Sequence, residues 1–71
     1  MARVLELFDE SGDSSKPTGE SATLTDEGRV RFQGQTVQSI LGKWLAVDSP
    51  QNVFDNMRGW SNGYVSLQER T

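Results

Sequence analysis

The sequence predicts a small α+β domain in the order βββααβ, with a sheet of three to four strands carrying two short helices on one face. Three observations predict it. Apolar residues alternate with polar ones on both sides of Asp26-Glu27-Gly28, and they recur at helical spacing from Val37 to Leu45. A Ser-Pro pair at 49–50 then opens a second helical stripe.

Residues 4–8 form a compact apolar run bounded by Asp9, Glu10 and Gly12, the length and punctuation of a strand. Residues 9–21 are rich in Ser, Gly and acids and lack any large apolar side chain, so they read as a long, mobile, solvated loop. Ala22 and Leu24, then Val30 and Phe32, alternate around the turn, which makes a hairpin with those four inward and Arg29 and Arg31 outward.

Thr36 offers an N-cap for the first helix. Val37, Ile40, Leu41, Trp44 and Leu45 follow at i, i+3, i+4, i+7 and i+8, a buried stripe that includes Trp44. Gly42 weakens that helix and reads as a site of close backbone approach at a helix crossing. Ser49 caps the second helix and Pro50 takes its first position, where a missing N–H is no loss. Val53, Phe54, Met57 and Trp60 share its inner stripe. Arg58 suits the negative end of the helix dipole, Gly59 ends the helix, and Trp60 is placed to fold back on Phe54. Asn62-Gly63 is a turn pair, because both residues tolerate positive φ, and Tyr64, Val65 and Leu67 read as the closing strand.

Composition excludes more than it assigns. Seventy-one residues make one domain, and the absence of Cys and His removes disulfides, thiolate metal sites, thiol nucleophiles and the commonest general base. The expectation is a non-enzyme without cofactor or metal. Net charge is −3, unevenly divided: residues 1–28 carry two cations against seven acids, net −5, and residues 29–71 carry five cations against three acids, net +2. Only Arg29 and Arg31 resemble a cationic patch, which argues against nucleic acid as a partner. No apolar run reaches the length of a membrane span, and MARVLELFDE has acids where a secretory leader needs an apolar core. The expected location is therefore cytoplasmic or virion.

Asp9, Ser11, Asp13, Ser15 and Glu20 fall at positions 1, 3, 5, 7 and 12 of a calcium-loop window. However, Ser14 stands where the sharp bend needs Gly, and strands flank the window instead of helices, so the expected role is ordinary acidic surface. Asp9/Glu10 and Asp26/Glu27 are adjacent carboxylates with no reason for their pKa values to diverge. Ser39 and Lys43 lie one helical turn apart on the face opposite the apolar stripe, which places a dyad in solvent. The residues expected to meet a partner are Trp60, Asn62 and Tyr64 around the C-terminal turn, with Arg29 and Arg31 of the hairpin.

The segment GWSNGYVSL at 59–67, following a helix, resembles small uncharacterised proteins of actinobacteria and their phages. The resemblance implies an accessory protein, of the class of virion components or modulators of host proteins, and carries no catalytic residues. The functional expectation is a small structural or interaction protein that docks on a larger assembly such as a phage particle. The alternative is an acidic inhibitor or antitoxin-like protein that covers a basic surface with residues 9–27. Self-association is compatible with either.

Overall fold

Six elements form in the expected order in the computed structural model, which describes residues 2–12 and 14–70. They are β1 (Arg3–Asp9), β2 (Lys16–Leu24), β3 (Val30–Gln33), α1 (Gln35–Leu45), α2 (Pro50–Met57) and β4 (Val65–Glu69). The strands make one antiparallel sheet ordered β3-β2-β1-β4, so β4 returns to lie beside β1. Strand alternation puts Leu5, Leu7, Ala22, Leu24 and Leu67 on the face beneath the helices. There they meet Val37 and Leu41 of α1 and Val53, Phe54 and Met57 of α2 to form the core.

The hairpin forms as expected. Ala22 pairs with Phe32 and Leu24 with Val30, Gly28 takes φ +84°, and Thr25 N–H donates to Arg29 O at 2.7 Å. That bond also fixes which groups face outward. Thr25 and Arg29 are a hydrogen-bonded pair, so Thr23–Arg31 and Ser21–Gln33 are hydrogen-bonded too, and the N–H and C=O of Val30 and Phe32 point away from β2. β3 lies at the margin of the sheet, so no strand pairs with those four groups.

The long loop expected over residues 9–21 is mostly strand. β1 runs to Asp9 and β2 starts at Lys16, leaving residues 10–15 as the connection. Apolar residues are missing from 16–19 because that end of β2 is exposed. Pro17 is tolerated there because β3 reaches only to the level of Ser21, so no strand needs a donor on its free side. Between the Glu6–Ser21 and Phe8–Pro17 pairs β2 bulges: Thr18 Oγ1 donates to Leu7 O at 2.8 Å, and Gly19 takes φ +87°.

The bulge determines where Glu20 goes. Its Oε1 accepts the Val37 N–H at 2.9 Å, so α1 is capped by a carboxylate from the neighbouring strand and not by Thr36. Gly34 stands at the N-cap with φ +112°, and a Cβ there would come within 2.3 Å of Glu20 Cγ. Gly42, expected at a close approach, has open space where a Cβ would stand.

α2 starts as expected, with the Ser49 hydroxyl accepting from Asn52 N–H and Pro50 in the first turn. Its end differs. Arg58 is extended (φ −64°, ψ 131°) and Gly59 has φ +84°; with Trp60 N–H bonded to Met57 O, these are the central residues of a type II turn. Gly59 N–H donates to Leu67 O at 2.7 Å instead of back to the helix, and Leu67 N–H donates to Trp60 O. Asn62 keeps negative φ and builds the next turn with its side chain: Oδ1 accepts from both Tyr64 N–H and Val65 N–H at 2.9 Å. Tyr64 therefore precedes β4 instead of opening it. The outer edge of β4 is closed by residues 59–62, whereas that of β3 is open.

Arg3 ties the layers together. Its guanidinium makes a bidentate pair with Glu69 of β4, both bonds 2.9 Å, donates to Asp55 of α2 at 2.6 Å, and lies 5.9 Å from the Phe54 ring centre. Arg3's hydrogen bonds hold the Asp55 and Glu69 carboxyls below their ordinary pKa, and those carboxylates in turn push the Arg3 pKa up.

Candidate docking groove

Trp44 departs most clearly from expectation. Its angular position matches the buried stripe of α1, yet the side chain is 49 % exposed, and Val47 just beyond is 79 % exposed. Trp44 sits in the last turn, where its neighbour Leu45 still packs against the core but Trp44 itself does not, and it lines a gap between α1 and α2. The gap is a groove of about 570 Å³ lined by Trp44, Val47 and Asp48 on one side and Val53, Asn56, Met57 and Trp60 on the other.

Each wall has a local cause. The type II turn after α2 swings Trp60 against the core margin, leaving one part of the indole in contact with the cluster and the rest facing the groove. Met57 supplies an adaptable floor. Asp48 is fixed by its own loop, with Oδ1 accepting from Ser49 N–H at 2.7 Å and Asn52 Nδ2 at 3.2 Å, while Oδ2 has no partner among the described residues. Asp48 is the only charged residue in the lining, so the groove is apolar with one negative rim.

The five expected partner residues do not converge. Trp60 joins the groove, and Tyr64 is 77 % exposed on the neighbouring turn. Asn62 is occupied in shaping that turn. Arg29 and Arg31 are exposed at β3, on the opposite sheet margin from β4. Sequence reasoning missed Trp44, Val47 and Asp48. Val47 continues the helical spacing, at i+3 from Trp44 and i+7 from Ile40, and that apolar residue beyond the stripe's last turn is the signal that the apolar surface extends past the core.

Two of the calcium-loop carboxylates are otherwise engaged. Asp9 Oδ1 accepts from Ser11 N–H, which lowers the Asp9 pKa, Glu20 caps α1, and Asp13 lies outside the described residues. Among the described residues no group of three His, Cys, Asp or Glu could hold a metal ion, and no helix is long and apolar enough to cross a membrane. Ser39 and Lys43 are exposed, as expected. Comparison with known family models, curated proteins and solved structures gives no match.

Proposed function

We propose that this chain is a non-enzymatic interaction protein that docks on a larger protein assembly, of the kind a phage particle offers, through the Trp44–Trp60 groove. The half-exposed Trp44 carries the reading. An indole on the inner stripe of an amphipathic helix, left open beside a second indole and an exposed valine, is the pattern of a binding hot spot. The occupant that fits is an apolar helical segment flanked by lysine or arginine. Its apolar side chains fill the groove, and its cation meets Asp48 Oδ2 or an indole face.

The acidic-inhibitor alternative has less support, because its carboxylates serve the fold. Asp9 accepts from Ser11 N–H, Glu10 accepts from Ser66, and Glu20 caps α1.

The test is a fluorescence titration with an amphipathic helical peptide bearing leucines on one face and lysines on the other. Wild type should bind, while Trp44→Ala and Asp48→Lys should weaken binding with thermal melts that still show a folded domain. Equal affinity in all three, or no response at millimolar peptide, contradicts the proposal.

A further inference from the structure

The two margins of the sheet are finished differently. At β4 the chain turns back on itself, and bonds from Gly59 to Leu67, Leu67 to Trp60 and Asn62 to Val65 occupy the outer edge. At β3 nothing does so. The N–H and C=O of Val30 and Phe32 point outward, and no described group bonds to them. Arg29 and Arg31 are exposed beside them and make no ion pair with any described residue, whereas Arg3, Arg58 and Arg70 all face carboxylates. By strand alternation Arg29, Arg31 and Gln33 project on the sheet face away from the helices, and Val30 and Phe32 project, half-buried, toward them.

We propose that β3 is a second docking edge, which accepts an extended acidic segment of another protein as a fifth, antiparallel strand. The backbone provides up to four hydrogen bonds, two at Val30 and two at Phe32. The arginines set the partner's pattern: a carboxylate opposite Arg31 and apolar residues opposite Val30 and Phe32, so that apolar and acidic residues alternate. A second copy of this chain does not fit. The antiparallel register that satisfies all four groups pairs Val30 with Phe32 of the copy and sets Arg31 directly opposite its own counterpart, a like-charge contact. The edge is independent of the groove, since it lies on a different element and uses backbone instead of aromatic contacts.

The probe is a blocked seven-residue peptide alternating valine with glutamate, with its lysine counterpart as control, followed by amide NMR and hydrogen exchange. The glutamate peptide should shift the amides around Val30 and Phe32, slow exchange at those two, and bind more weakly as salt rises. Arg31→Glu, a substitution on an exposed side chain, should weaken it about tenfold, as repulsion replaces attraction, and should gain affinity for the lysine peptide. The proposal is overturned by no perturbation at millimolar peptide, by equal binding of both peptides, by shifts confined to Trp44 and Trp60, or by a wild-type dimer joined at β3.

Discussion

Replacing Arg3 with methionine should cost more than loss of a surface charge, because the Arg3 side chain joins β1 to both β4 and α2. Methionine keeps an aliphatic stem over Phe54 and removes the guanidinium, so the change isolates the polar contacts. The Arg3 and Glu69 side chains are 20 % and 23 % exposed, between the surface regime, where an ion pair contributes little, and the buried one. Two parallel charge-assisted bonds in that setting contribute about 1–2 kcal/mol after discounting for solvent. Asp55, half exposed, adds little. For a domain of this size that loss lowers Tm by about 4–16 °C, measurable by circular dichroism. A cycle with Glu69→Gln should return most of it as coupling between the two residues. The sign with pH follows from the depressed carboxyls. Stability from the Arg3 pairs is fully present above the unfolded carboxylate pKa of about 4 and is lost as pH falls through the lower folded values, so wild type and variant should converge in acid. A loss under about 0.5 kcal/mol, zero coupling, or a gap that widens in acid would refute the reasoning.

Gly42→Ala should stabilise the domain by about 0.8–1 kcal/mol in urea melts, since a methyl there meets nothing and helix propensity alone acts; a destabilised variant would restore the close helix approach. Gly34→Ala should cost about 1–3 kcal/mol in the same assay, because φ is +112° and the methyl strikes the Glu20 side chain that caps α1; a neutral result would mean that the cap is not formed. Millimolar calcium should leave the amides of residues 9–20 unshifted in NMR spectra, because Glu20 is already bonded to Val37 N–H; saturable shifts there would show that the ion outcompetes the cap.

The sequence made the fold legible where one local rule had no competitor. Alternation around Gly28 set the hairpin, periodicity set α1, and Ser49-Pro50 set the start of α2. It was misleading where the decisive partner is distant in the chain. Glu20 displaced Thr36 as the cap because a bulge fourteen residues upstream of Gly34 aims it there, and no window around the helix start contains that information. Residues 16–20 belong to β2 without apolar alternation because 16–19 are exposed and the strand bulges between Pro17 and Ser21. Arg3 near the start of the chain finds Glu69 near its end, a contact of sheet topology alone. The groove is half visible in the sequence: Trp60 stands out for its place beside a turn, but periodicity places Trp44 on the inner stripe with Leu45 and does not say which stripe positions the second helix covers.

Acrylamide quenching of a Trp60→Phe variant, in which Trp44 is the remaining indole, tests the open groove most directly. Trp44 should be readily quenched in the free protein and become protected when the leucine–lysine peptide saturates the groove. An indole already shielded in the free protein, or one equally quenched with and without peptide, would contradict it.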